Sequence, residues 1–210
     1  MIELLHIDCM EYMKTLPDKA FELAIVDPPY GIGNFIPDGA NNGDKWKRKK
    51  AIKVEWNDSI PTDNYFAELL RVSMGQIIWG ANYYNCFPLG GGAIIWDKKN
   101  NHPNMSKCEI ASCSFHKKVE YYHETVLKGF VSNETQIHPC QKPIKLYKWL
   151  LKNYAKPGDR ILDTHLGSGS SAIAAHYAGH DFVGCELDKD YYDAALKRFA
   201  SETAQQAMAL

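Results

Sequence analysis

A strand, a glycine loop, a helix and a second strand follow one another between residues 160 and 186, close to the end of the chain. Arg160-Ile161-Leu162-Asp163 reads as a short buried strand entered from the sharp turn Pro157-Gly158-Asp159. Thr164-His165-Leu166-Gly167-Ser168-Gly169-Ser170-Ser171 then leads into a helix over Ala172 to Ala178. Glycines between a strand and a helix let backbone approach a ligand closely and offer helix amides to it. The next strand, Asp181-Phe182-Val183-Gly184-Cys185, ends in Glu186, before a closing helix from Tyr191 to about Ala207 with Leu196 and Phe199 facing inward. An acidic residue about twenty positions after the glycine loop suits the hydroxyls of a ribose. A half-sheet of this type needs a third strand beyond Glu186, and the sequence offers none there. Ile2-Glu3-Leu4-Leu5-His6-Ile7, ended by Asp8-Cys9, supplies it from the other end. The expectation is a doubly wound, mostly parallel α/β sheet with circularly permuted strand order.

The second constraint is Asp27-Pro28-Pro29-Tyr30, which follows the apolar run Phe21-Glu22-Leu23-Ala24-Ile25-Val26. Two consecutive prolines fix φ and remove two backbone donors, so the strand ends there in a rigid extended turn. If the permutation holds, Asp27 and Asp163 end neighbouring parallel strands on the two sides of the switch point, where open α/β sheets bind ligands. For the tetrapeptide alone, a proline turn with a surface tyrosine competes with a functional reading.

Asp-Pro-Pro-Tyr after an apolar strand resembles the catalytic motif of S-adenosylmethionine-dependent amino-methyltransferases, which methylate exocyclic amines of DNA bases. Two further segments carry the resemblance: the Asp163-x-x-x-Gly-Ser-Gly-Ser loop, and His138-Pro139-Cys140-Gln141-Lys142-Pro143 before a helical run, Ile144 to Tyr154. Their order is that of the circularly permuted beta class, the resemblance spans nearly the whole chain, and compact phage or prophage DNA adenine methyltransferases are the nearest look-alikes. It implies a Rossmann-like methyltransferase sheet with an antiparallel strand. It also implies catalysis by Asp27, Pro28, Pro29 and Tyr30, with Asp27 and the Pro28 carbonyl holding the amine and Tyr30 stacking on a flipped base. The cofactor, S-adenosylmethionine, would be held by Asp8, Cys9, Asp27, His138, Gln141, Lys142, Pro143, Asp163, Thr164, His165, Leu166, Gly167, Ser168, Gly169, Ser170, Glu186 and Leu187. Within that set Asp8 would meet the cofactor adenine while capping the helix Met10 to Leu16, and Lys142 would face the cofactor carboxylate or cap its helix. Thr164-His165 stands where the family frequently has proline and phenylalanine, so that contact differs in this chain.

The chemistry explains these residue types. An adenine N6 lone pair is delocalised into the ring; acceptors for both N–H groups favour a pyramidal nitrogen with a localised pair, poised for in-line displacement. A base extruded from a duplex needs an aromatic face to stack on.

Residues 31–57 form a long Gly-, Asn- and Asp-rich stretch containing Lys45-Trp46-Lys47-Arg48-Lys49-Lys50. A charge run is most often a solvated face. Its position and its tryptophan also suit phosphate neutralisation with base stacking, and nucleic-acid contact is the expectation. An amphipathic helix marked by Pro61 at its start and by Phe66, Leu69, Leu70 and Val72 or Ser73, and strands at Gln76 to Trp79 and Gly91 to Asp97, follow. Gly80 and Asn82 either line a base pocket or make a simple turn. Cys108 to His116 reads as an antiparallel neighbour of the Gly91 to Asp97 strand, and Val119 to Phe130 as a further strand or arm. One domain is expected, with the catalytic half in 1–137, a small recognition region in 117–137 and the main cofactor half in 138–210.

The chain has 210 residues and a formal net charge of −1, so any nucleic-acid footprint is local. Six scattered cysteines without a Cys-x-x-Cys read as reduced thiols, and with no leader or membrane-spanning run the expected location is cytoplasmic. Cys108, Cys113 and His116 match no zinc spacing, and no metal is expected. Duplex DNA is the expected partner; the family is often dimeric, although no self-complementary face is legible. Cytosine N4 is the neighbouring substrate alternative, since the same physics serves it, followed by RNA adenine. A silent nucleic-acid binder and a nicotinamide oxidoreductase are the alternatives from other classes.

Overall fold

A computed structural model describes residues 1–33, 59–84, 86–87, 91–99, 106–123 and 137–207. Among the described residues, eight strands form one sheet: β1 (Ile2–His6), β2 (Phe21–Val26), β3 (Ser73–Trp79), β4 (Ala93–Asp97), β5 (Cys108–Cys113), β6 (Val119–His123), β7 (Arg160–Asp163) and β8 (Asp181–Glu186). Five helices accompany them there: α1 (Cys9–Lys14), α2 (Asp63–Val72), α3 (Ile144–Tyr154), α4 (Ser170–Ala178) and α5 (Lys189–Ala207). The strand order is β1-β8-β7-β2-β3-β5-β4-β6.

The N-terminal strand does complete the C-terminal half. β1 lies parallel to β8, with Ile2 opposite Phe182 and His6 opposite Glu186. β7 pairs in parallel with β8 on one side and with β2 on the other, where Leu23 faces Ile161 and Ala24 faces Leu162. Asp27, directly after β2, and Asp163, the last residue of β7, therefore leave adjacent strands at the same sheet edge. Beyond the parallel β2–β3 pair, β5 runs antiparallel to both β3 and β4. β6 pairs in parallel with β4, from Ala93 opposite Val119 to Asp97 opposite His123.

Period-two burial explains why the central strands read as continuous apolar runs. On β2, Leu23 and Ile25 pack on one face with Leu146 and Leu150 of α3 and Ala172 to Ala175 of α4. Ala24 and Val26 turn to the other face, against Met13 of α1 and Tyr65, Leu69 and Val72 of α2. The chain passes from α2 into β3 at Ser73 without a loop, so the strand begins three residues earlier than Gln76. Its hydroxyl donates to the Leu69 carbonyl at 2.5 Å, satisfying the last turn of the helix.

One sequence expectation fails on α5. Leu196 is exposed, and the inward face carries Ala195 and Arg198, with Phe199 partly buried beside them. Arg198 turns inward because its guanidinium donates to the Ser168 carbonyl and the Ser170 hydroxyl, both at 2.8 Å. Among the described residues, no helix is long and apolar enough to cross a membrane.

Leu162 sits at the centre of the sheet with no exposure. Leu162→Ala is expected to destabilise the fold by about 2–5 kcal/mol through lost transfer energy and the cavity left behind. A urea-unfolding midpoint compared with the unsubstituted protein checks this.

Candidate active site

Where β2 ends, the Pro28-Pro29 turn carries Asp27 and Tyr30 into one cluster. The Tyr30 hydroxyl donates to Asp27 Oδ1 at 2.5 Å, and the Lys142 ammonium donates to Asp27 Oδ2. The Tyr84 hydroxyl lies 2.6 Å from the Pro28 carbonyl and 2.8 Å from that of Pro29, so a turn with no amide donors of its own is held by a side chain. The Tyr30 ring stacks on Tyr83 at 4.8 Å and 15°. Gly80, at φ 77°, gives the ring its space: a Cβ there would lie 2.3 Å from Tyr30 Cε1. Gly80 thus packs directly on the motif tyrosine, and Asn82 is exposed.

Lys142 is 3% exposed and is shared between two anions. Besides Asp27 it meets Glu109 Oε2 at 3.0 Å, and the other oxygen of Glu109 pairs with Lys98. The ammonium also lies 5.4 Å from the Trp79 ring and 5.8 Å from that of Tyr30. Burial works against the Lys142 charge, but Asp27 and Glu109 outweigh it and hold the ammonium above the usual lysine range. Glu109, likewise penalised by burial, is drawn down to about 2 by Lys142 and Lys98. Asp27 has one cation rather than two: burial raises its carboxyl, and Lys142 only partly offsets this. The lysine offered to the cofactor by its motif is therefore engaged with Asp27 and Glu109. Glu109 and Tyr84 were not singled out in the sequence; the one is a lone acid in the short strand Cys108–Cys113, the other half of a tyrosine pair.

The neighbouring strand ends carry the remaining motif residues. Asp163 is buried, with Oδ1 accepting from the His165 amide at 3.0 Å and Oδ2 from the Ser171 hydroxyl at 2.6 Å. Both oxygens thus shape the glycine loop from beneath, and burial lifts the carboxyl to about 7. Thr164 Oγ1 lies 2.7 Å from the Tyr65 hydroxyl and 2.9 Å from His165 Nδ1. Leu166 is buried, and its amide donates to the Cys185 carbonyl at 2.9 Å. Gly167 and Gly169 take left-handed φ values of 52° and 74°, the latter at the cap of α4. Ser168 and Ser170 hydroxyls are 3.1 Å apart under Arg198.

Glu186 Oε2 accepts from the Gly167 amide at 2.8 Å and Oε1 from the Asp188 amide at 2.9 Å, tying the end of β8 to the loop. Burial raises its carboxyl above the usual range. Asp8 caps α1, accepting from the amides of Met10 and Glu11 at 2.7 and 3.1 Å. Cys9 begins that helix, and Leu187 is 67% exposed beside Glu186. The His138 ring packs against Tyr191 at 4.5 Å, and a Cβ at Gly167 would lie 3.7 Å from it. Burial lowers both His138 and His165 to about 4, leaving two neutral imidazoles at neutral pH. Gln141 Oε1 accepts from the Ile137 amide at 3.0 Å, and Pro143 caps α3. Lys45 to Lys50, and residues 124–136 of the expected recognition region, lie outside the described residues.

A family model described as DNA methylase (N6_N4_Mtase) matches residues 95–197. The Type II methyltransferase M.HinfI of Haemophilus influenzae is 25% identical over 240 residues, covering 91% of this chain, which spans 66% of that protein. Among solved structures, the M1.HpyAVI–SAM complex superposes with a TM-score of 0.61 at 22% identity, over 94% of this chain and 100% of that one. The cytosine-N4-specific PvuII DNA methyltransferase gives 0.62 at 11% identity, over 97% and 90% respectively. The chain has the Rossmann-like fold of these enzymes.

The raised Asp163 carboxyl has a direct consequence for stability. Its folded value of about 7 lies above its ordinary 3.8, so the folded state holds a proton that the unfolded chain has released. Its contribution is fully present below about pH 4 and is lost as pH rises through about 7. His138 and His165 act oppositely below their ordinary 6.5, so the comparison must isolate one group. Wild type minus Asp163→Asn is expected to show relative stability falling between about pH 4 and 7 and level above, measured by urea unfolding across that range.

Proposed function

We propose that this chain is an S-adenosylmethionine-dependent DNA methyltransferase acting on the N6 amine of adenine. The observation that carries the reading is the adjacency of two sites at one sheet edge. A carboxylate, a proline-turn carbonyl and a tyrosine leave β2, while a glycine loop and two acidic strand ends leave β7, β8 and β1 beside them.

The cofactor suits the second site chemically. S-adenosylmethionine has a ribose diol and a net cationic sulfonium-amine end, and carries no phosphate. Glu186 has acceptor capacity beyond its two amide bonds and would take the diol, Asp8 would meet the adenine edge, and His138 would line the loop beside Gly167. When bound, the cofactor supplies an electrophilic methyl group. A nicotinamide dinucleotide would bring two phosphates to this acid-lined edge and would leave the proline turn without a role.

The chain's own residues would then prepare the nucleophile. Asp27 and the second lone pair of the Pro28 carbonyl accept the two N–H groups of the amine, directing the nitrogen lone pair at the methyl. The Tyr30–Tyr83 stack offers an aromatic face to an extruded base, whose extraction costs a few kcal/mol. Lys45 to Lys50, following the turn in sequence, would neutralise DNA phosphates, with 117–137 contributing to target recognition. The whole would act as one domain, cofactor half last.

Adenine is favoured over cytosine because Asp stands first in the motif, where the resembling cytosine-N4 enzymes more often carry Ser. The fold shared with the PvuII enzyme keeps cytosine N4 as the second reading. Incubation with labelled S-adenosylmethionine and unmethylated duplex DNA, followed by nucleoside mass spectrometry, is expected to yield N6-methyladenine. Asp27→Ala should lower that yield at least 1000-fold. N4-methylcytosine would replace the substrate assignment, and undiminished product from Asp27→Ala would remove the mechanism.

A further inference from the structure

Both oxygens of Asp27 already hold a donor, so an incoming amine N–H must either share an oxygen or displace its donor. Asp27 Oδ1 holds the Tyr30 hydroxyl and Oδ2 holds the Lys142 ammonium. Lys142 cannot simply withdraw: at 3% exposure, a lone ammonium would lose its water without compensation. Besides the neutral Tyr30 hydroxyl at 3.2 Å, it has a second anion within reach. Glu109 Oε2 already stands 3.0 Å away, and Glu109 is anchored from its far side by Lys98. Trp79 and Tyr30 keep aromatic faces toward the ammonium during a small displacement.

We propose that Glu109 is a positioning residue that takes over Lys142 when the target amine enters, so that Asp27 Oδ2 changes partner from lysine to the base. This rests on the methyltransferase reading above and extends it to a residue outside the three motifs. Before the exchange, Lys142 bridges Asp27 and Glu109. After it, Lys142 pairs with Glu109 alone, and the amine N–H replaces it on Asp27. No charge is created or moved out of the cluster: Lys98 and Lys142 balance Glu109 and Asp27 in both states. The free protein thus holds its catalytic carboxylate closed, and the substrate opens it.

Glu109→Gln removes the receiving anion and leaves Lys142 on Asp27. The expected result is a fall in kcat of at least tenfold on unmethylated duplex DNA, with the Kd for S-adenosylmethionine within twofold of wild type. Glu109→Asp should restore a large part of kcat. Because Glu109 acts through Lys142, Glu109→Gln placed on Lys142→Met should change kcat by less than twofold from Lys142→Met alone. A full kcat in Glu109→Gln, or effects of the two substitutions that multiply, overturns the exchange. If Glu109→Gln does not fold, Lys98→Met, which weakens the anchor on Glu109, must lower kcat in the same direction, and an unchanged rate overturns the proposal. A wild type that methylates in an Asp27-dependent way while failing these tests refutes this inference alone. A wild type that transfers no methyl group refutes the underlying reading, and this one with it.

Discussion

Everything at the site depends on the parallel pairing of β2 with β7. No short connection joins them; Leu23 meets Ile161 across a large loop of chain, and closing such a loop costs entropy before any contact rewards it. Burial supplies the reward, since β2 is covered on both faces by different helices. The prolines after Val26 then force the chain out of the sheet at the one position where its neighbour ends in Asp163. Two strands that end together, with helices diverging on opposite faces, make the kind of switch point at which open α/β sheets bind ligands.

The second determinant is the alternating row Lys98–Glu109–Lys142–Asp27. Taking Lys142 fully and its three charged neighbours largely out of water is expensive, and apolar side chains of similar volume commonly serve stability as well or better. The row therefore makes poor sense as a stabilising device. It makes better sense as a means of keeping Asp27 ionised in a partly dehydrated turn, while leaving it the least firmly held of the two acids.

The sheet's permuted order, the Asp27 turn and the glycine loop were legible because each is written in local chemistry: prolines that cannot extend a strand, glycines that accept positive φ, and an acid after a strand. The inward face of α5 was misread at Leu196 because apolar spacing cannot anticipate an arginine turned inward by the loop it holds. Glu109 was invisible for a different reason. Its partners are 11 and 33 residues away, and only the order β3-β5-β4 brings its side chain beside Lys98 and Lys142. Lys142 was read as facing the cofactor carboxylate or capping its helix, and its pairing with Asp27 and Glu109 joins positions 115 and 33 residues away, which no local pattern shows.

The protein contacts to the two sides of the reaction also differ in kind. The acidic edge is tied together: Asp163, Glu186 and Arg198 hold the glycine loop through backbone amides and a carbonyl, and the Ser171 hydroxyl donates to Asp163. At the Asp27 turn the contact is an ion pair with Lys142, which in the proposed exchange yields to the amine. A site so divided can accept its cofactor on a rigid surface at little ordering cost. It can also reserve its reactive carboxylate for a ligand that brings N–H donors of its own. Water offers donors too, but cannot match a buried ammonium; an amine held by base stacking and by the Pro28 carbonyl competes from a fixed position. Discrimination would then arise at the moment the carboxylate changes partner, which joins substrate recognition to the opening of the site in a single step.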